Sequence, residues 1–238
     1  MAKPLVMFDV EGTLVDCVHE TLACWSRTFR QHGFEFSIAE LHQHSGRDPD
    51  DMIKALLPRR DAERLASSLK KEQGQRYRAE CLPQVKAFPG VRELFEALRA
   101  AGYACALVTS CAKDELAHYM TLTGVADLVG CIACGEEVNR QKPHPDLINL
   151  ALKKAGQSAS SAVMVGDTPF DAEAANAASV AAVGLLCGGF SEGALLKAGC
   201  KAVYRDPAEL NLRNDLTCRR MAGLIWEGGD GRSPKSND

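Results

Sequence analysis

The chain has no long apolar run, no excess of basic charge and no second closely spaced pair of cysteines. No stretch approaches the roughly 20 apolar residues of a membrane-spanning helix, so no membrane partner is expected. The 28 Lys and Arg stand against 31 Asp and Glu, a formal charge of -3, which provides no basic field for holding nucleic acid. Cys131 and Cys134 are spaced like half of a zinc site, but no companion pair follows them. The ten cysteines are scattered through apolar segments such as CALVTSC and GCIAC, and they read as reduced core thiols of a cytoplasmic protein. The opening MAKPLVMFDVEGT is an apolar run interrupted by Asp9, the pattern of a buried first strand and not of a signal peptide.

What is present is the composition of a globular protein, 238 residues with 46% hydrophobic and 25% charged, large enough for a core and a modest second unit. Residues 4–8, 104–109, 129–134 and 161–166 are short apolar runs, each ending near a polar or glycine-bearing turn. Such continuous apolar strands belong to a parallel sheet covered on both faces. Between them lie helical patterns, VRELFEALRAAG, DELAHYMTLTG and DLINLALKKAG, closed by Gly102, Gly124 and Gly156.

Alternation of strand and helix predicts an α/β fold with a doubly wound, mostly parallel sheet, a Rossmann-like core. From 16 to 86 the pattern is helical with no convincing strand, with helices expected over 18–31, 38–43, 49–56 and 61–79. A small all-helical cap over 16–86, inserted into a core made of 1–15 and 87–238, accounts for this. After 186 the sequence predicts a loop at LLCGG, a short helix in SEGALLKAG, a last strand in CKAVYRD, a helix in PAELNLRNDL and a frayed tail.

In an open α/β sheet, ligands bind beyond the carboxyl ends of the strands. Those ends carry Asp9, Thr109 and Asp167, with Lys142 beyond the third strand. Two carboxylates brought together at one sheet edge repel unless a cation lies between them, and a hard divalent ion such as Mg²⁺ resolves the repulsion. A phosphate dianion would then rest on the metal, Lys142, the Thr109 hydroxyl and the amides around Glu11 and Gly12. Asp9 would be placed to attack phosphorus.

The segments DVEGTLVD at 9–16, VTS at 108–110, Lys142 before Pro143 and GDTPFD at 166–171 occur in this order. They resemble the four motifs of the haloacid dehalogenase-like hydrolase superfamily, and in particular its phosphoglycolate phosphatase and phosphoglucomutase-like group. The resemblance spans roughly residues 4–215. It implies Asp9 as nucleophile, Glu11 as general acid and base with its backbone carbonyl on Mg²⁺, and Asp167 and Asp171 completing the metal shell. It further implies that Thr109 and Lys142 bind phosphate, that Thr13 positions the phosphate loop, and that Gly12 and Ser110 border the substrate.

The sequence departs from that pattern at Glu11, where the group usually carries Asp, although a related branch acting on an enol-phosphate uses DxEGT. An acid at this position argues against dehalogenase and phosphonate-cleaving chemistry. Thr21 stands where the sugar phosphomutase branch has His, and Ser179 replaces a usual Gly, a change expected to bear on packing. A phosphomutase and a catalytically impaired phosphate-binding protein remain the alternatives to a phosphatase acting on a small phosphorylated metabolite. In the cap, HSGRDPDD is the segment expected to reach the cleft, with Gly46 allowing close approach and Arg47 forking onto an anionic group. His42 and His44, two residues apart, do not share a helix face and are given no metal role. Monomer and homodimer are both compatible with the sequence.

Overall fold

The computed structural model describes residues 3–212. The expected tail at 228–238, the final residues 213–216 of the last expected helix and Cys218 lie outside the described residues. The elements run β1 (Leu5–Phe8), β2 (Val15–Asp16), α1 (Val18–Gln31), α2 (Ile38–His42), α3 (Pro49–Leu56), α4 (Arg59–Arg76) and β3 (Lys86–Ala87). They continue with α5 (Val91–Ala100), β4 (Ala104–Thr109), α6 (Lys113–Thr123), β5 (Cys131–Cys134), α7 (Asp146–Ala155), β6 (Ala162–Gly166) and α8 (Pro169–Ala177). The last are β7 (Ala181–Leu185), α9 (Glu192–Lys197), β8 (Cys200–Tyr204) and α10 (Pro207–Leu212).

Six of the strands form one parallel sheet in the order β5-β4-β1-β6-β7-β8, with β1 central. Successive side chains of a strand point to opposite faces, and β1 shows the consequence. Val6 and Phe8 enter a cluster with Leu94, Phe95 and Leu98 of α5 and Tyr119 of α6, while Leu5 and Met7 enter another with Leu147, Ile148 and Ala151 of α7 and Ala172 and Ala175 of α8. Both faces are covered, as a parallel sheet requires. Each fully buried Leu, Ile or Phe contributes about 1.5–3 kcal/mol.

Between β2 and β3 the chain forms α1–α4, with their own apolar cluster of Leu22, Trp25, Phe29, Leu41, Met52, Ile53, Leu65 and Leu69. The chain leaves and re-enters the sheet-bearing part through the antiparallel pair β2–β3. This ribbon is only two residues per strand, too short for any periodicity that a sequence pattern could reveal. Helix α4 ends at Arg76 and not at 79, because a wider turn, Tyr77–Cys81, takes over. The strand β7 also escaped the sequence reading. Its residues AAVGL are small because neighbours press on it: a Cβ on Gly184 would lie 2.9 Å from Leu195 Cδ1 of α9.

All nine described cysteines are free, and Cys131 and Cys134 sit on β5 facing a backbone carbonyl and Glu137. Ser179 has φ 58°, the one non-glycine residue with positive φ among the described residues. The usual Gly at this position is thus a matter of backbone conformation, not of packing as the sequence predicted. An L-residue in the left-handed region costs roughly 1–2 kcal/mol, against about 0.5–1 kcal/mol of added chain entropy for Gly. Ser179→Gly should therefore raise stability by up to about 1 kcal/mol, read as a rise in Tm of about 2–4 °C. An unchanged or lower Tm would rule out strain at this turn.

Candidate active site

Asp9 follows β1 directly, and its N–H continues the ladder by donating to the Val165 carbonyl at 2.9 Å. The chain then turns back on itself, with Gly12 N–H donating to Val15 O at 2.9 Å and Leu14 N–H to Val10 O at 2.8 Å. Gly12 has φ 80°, and a Cβ there would lie 2.5 Å from Asp167 Oδ2. Asp167 follows β6, and Thr168 caps α8 in a capping box with Asp171 at its third position. Lys142 arrives from the segment between β5 and α7.

These side chains meet. Lys142 Nζ lies 2.6 Å from Asp9 Oδ1 and 2.6 Å from Asp171 Oδ1. Asp171 Oδ2 accepts from the Thr168 N–H at 3.1 Å and hydroxyl at 2.7 Å, so one carboxylate both starts a helix and grips the lysine. The Thr13 hydroxyl, fully buried, donates to Asp167 Oδ1 at 2.6 Å. Its role in this geometry is to hold that carboxylate. Asp9, Asp167 and Asp171 each offer an oxygen within 4.8 Å of the other two, a set able to coordinate a divalent metal.

Three buried carboxylates against one ammonium leave two negative charges uncompensated when all are ionised. The pKa directions reflect this. Burial pushes Asp9 up to about 6, with Lys142 pulling down and Asp171 pushing up. Asp167 is raised by burial, then by Asp171 and Asp9. Burial would lower Lys142, but Asp171 and Asp9 outweigh it and keep the ammonium charged. An all-oxygen set short of positive charge fits a hard cation such as Mg²⁺.

Glu11 does not join this set through its carboxylate. It accepts from the Tyr119 hydroxyl at 3.3 Å, and Tyr119 in turn shares a 2.6 Å hydrogen bond with Tyr77. Burial pushes Glu11 up to about 8, reinforced by Glu115 and Asp9. The Thr109 hydroxyl is fully buried, accepting from Cys111 N–H and donating to its sulfur, both at 3.2 Å. Ser110 Oγ is buried without a partner. A recess of about 50 Å³ is lined by Asp9, Glu11, Thr21, Gly46, Ser110 and Lys142.

The helical cap closes over this edge. Asp48 N–H donates to the Lys142 carbonyl at 3.2 Å, and His42 Nε2 lies 2.7 Å from the Gly188 carbonyl. Gly46, φ 80°, approaches so closely that a Cβ would lie 2.7 Å from Thr168 Cγ2. Arg47 lies with its guanidinium 5.7 Å from the centre of the Phe170 ring. Sequence reasoning missed Tyr77, Tyr119 and Gly188. The first two look like ordinary core positions of helical segments, and Gly188 stands in LLCGG, where nothing local marks its contact with Asp167.

The family model for haloacid dehalogenase-like hydrolases matches residues 6–185. The chain belongs to the haloacid dehalogenase-like hydrolases. It is 31% identical to the "Probable phosphatase IndB" of Dickeya dadantii over 78% of this chain and 82% of that protein. It is 28% identical to a phosphoglycolate phosphatase of Agrobacterium fabrum, over 78% and 82% of the two chains. Among solved structures, a hydrolase from Pseudomonas syringae superposes with a TM-score of 0.80 at 28% identity, covering 92% of this chain and all of that one. The inserted helical region is shared with such haloacid dehalogenase-like folds.

Because Asp9, Glu11 and Asp167 are all raised, the folded metal-free protein holds protons that the unfolded chain has released. The stability these groups contribute is therefore fully present below about pH 4 and is lost as pH rises to about 6 for Asp9 and about 8 for Glu11. A divalent ion competes with those protons, so the Tm gain from saturating Mg²⁺ should widen by several degrees between about pH 5.5 and about pH 8.5. A gain that stays constant would place the ion elsewhere. A Cβ at Gly188 would overlap Asp167 Oδ2. Gly188→Ala should accordingly remove most of the Mg²⁺-dependent gain, measured by the same melting curves.

Proposed function

We propose that this chain is a Mg²⁺-dependent phosphatase that hydrolyses a small phosphorylated metabolite through a covalent phosphate on Asp9. The observation that carries the reading is the buried Asp9–Lys142–Asp171 chain, with both N–O distances 2.6 Å, opening on the small recess at the strand ends. Kinship with phosphatases agrees with it.

In this reading Asp9, Asp167 and Asp171 hold the metal, with the Glu11 carbonyl as a further ligand. The ion, when bound, supplies charge against the carboxylates and the transferring phosphoryl oxygens. Lys142 orients Asp9 and neutralises developing charge, and Ser110, Thr109 and the Gly12 turn border the phosphate. An Asp9 oxygen forms a bond to phosphorus as the bond to the leaving oxygen breaks, and Glu11 gives that oxygen its proton. Water then attacks the aspartyl phosphate, Glu11 takes up the water proton, and inorganic phosphate leaves. Asp9 is regenerated as the carboxylate.

Asp9→Asn should remain folded and lose phosphate release; normal release by a folded Asp9→Asn protein would remove Asp9 as nucleophile. Glu11→Gln tests the acid. It should lower kcat by roughly 100-fold or more on an alkyl phosphate, whose leaving oxygen needs a proton, and far less on an activated aryl phosphate. Equal losses on both would count against proton transfer by Glu11.

A further inference from the structure

Beneath the cap, next to the small recess, lies a second cavity of about 190 Å³. The two share Glu11, Thr21, Ser45, Gly46 and Ser110 as walls, so a molecule with its phosphorus beside Asp9 must place the rest of itself in the larger space. The lining of that space therefore reports the chemistry of the leaving group.

Five of the side chains around it carry buried polar atoms without a partner: Thr21 Oγ1, His44 Nδ1, Arg47 Nε, Ser110 Oγ and Gln141 Oε1. Buried polar atoms left unpaired are unfavourable, so a ligand that pairs with them gains affinity. Their characters are mixed. Arg47 Nε only donates, Gln141 Oε1 only accepts, and the two hydroxyls do either. Burial and the neighbouring Arg47 lower the His44 pKa, so its ring faces the cavity as a neutral imidazole.

A carboxylate in this space would only accept, and would leave unused the acceptor capacity of the two hydroxyls, the neutral His44 ring and the Gln141 amide. Among the described residues lining the larger cavity Arg47 is the one Lys or Arg, and it stands there with Glu115, so the space offers no surplus of positive charge to a second anion. Arg47 is itself engaged over the Phe170 ring, and Glu115 is paired with Arg78 at 3.1 Å. Hydroxyl groups, which donate and accept at once, answer the whole set. Leu22, Trp25, Leu41 and Met52 add an apolar stretch of wall, a surface for the C–H groups that alternate with hydroxyls on a carbohydrate or cyclitol.

We propose that the leaving group is a neutral polyhydroxylated skeleton of sugar or cyclitol size, bound by Thr21, His44, Arg47, Ser110 and Gln141. This rests on the phosphatase reading above and narrows it. A molecule with a short carboxylate tail, or inorganic pyrophosphate, is correspondingly disfavoured.

The test is parallel kinetics of the full chain with Mg²⁺ on hexose, hexitol and inositol monophosphates, on phosphoglycolate and pyrophosphate, and on an activated aryl phosphate as a reference for the chemistry. At least one polyol phosphate should exceed phosphoglycolate and pyrophosphate in kcat/KM by about 10-fold or more, the effect of one or two added hydrogen bonds. Thr21→Val, which keeps shape and removes the hydroxyl, should lower the ratio of polyol-phosphate to aryl-phosphate kcat/KM by roughly 3- to 10-fold, and Gln141→Met, which keeps the length of the side chain and removes its amide, serves as an independent second variant. Turnover of the aryl phosphate with phosphoglycolate or pyrophosphate equal to or better than every polyol phosphate would overturn the leaving-group assignment while leaving the phosphatase intact. An unchanged ratio in both variants would overturn it too. No turnover of any phosphate, the aryl ester included, would remove the phosphatase reading and this one with it.

Discussion

The arrangement depends on one electrostatic imbalance: three buried carboxylates at the edge of the sheet share a single lysine. The imbalance is built into the fold. Asp9 and Asp167 are fixed by parallel strands paired residue for residue, and Asp171 by the cap of the helix that follows. None of the three can turn away without breaking something structural, since Asp171 starts α8, Asp167 is held by Thr13, and Asp9 is hydrogen-bonded to β6 through its own backbone. Glycines complete the constraint. Side chains at Gly12, Gly166 or Gly188 would intrude on Asp167 or Asp171. A site held in this way is preorganised for added positive charge, and later for a transferring phosphoryl group.

The second feature is the seam between cap and core. Helix α1 serves both sides, sending Cys24 to the cluster under the sheet and Leu22, Trp25 and Phe29 to the cap's own cluster. Cys81, on the return from the cap, lies with its sulfur 2.7 Å from that of Cys24, so the seam is closely packed there. On the strand-end side it is held instead by isolated polar contacts, from His42 to Gly188 O and from Asp48 to Lys142 O. Separate apolar clusters joined on one side leave space on the other, and the two cavities occupy it.

How much of this was legible in the sequence follows from the range of each signal. Continuous apolar strands and closing glycines are local, and they located β1, β4, β5 and β6 and the helices α5, α6 and α7. The strand-end residues could be read because topology alone carries them to one edge. β7 was lost because its sequence is governed by α8 and α9 pressing on it, which favours Ala and Gly over the bulky residues that announce a strand. Ser179 was misjudged because a backbone angle leaves no mark on composition. That the Thr13 hydroxyl donates to a carboxylate 154 positions away is likewise beyond any local signal.

Glu11 brings the local and the distant together. Read alone, its extra methylene is a displacement of about 1 Å from where an Asp would act, enough to impair a positioned proton donor. In the fold the longer side chain reaches the Tyr119 hydroxyl on α6, and that hydroxyl is anchored in turn by Tyr77 where the cap returns to the core. The reach is thereby matched by a support drawn from both parts of the molecule. Burial and the neighbouring Glu115 and Asp9 raise the carboxyl to about 8, so at neutral pH it holds a proton beside Asp9. A shorter acid at this position would fall away from Tyr119, and the two tyrosines would be left bonded only to each other. The departure from the usual Asp is thus accommodated by residues far along the chain, Tyr119 and Tyr77, which no reading of the motif alone connects to it.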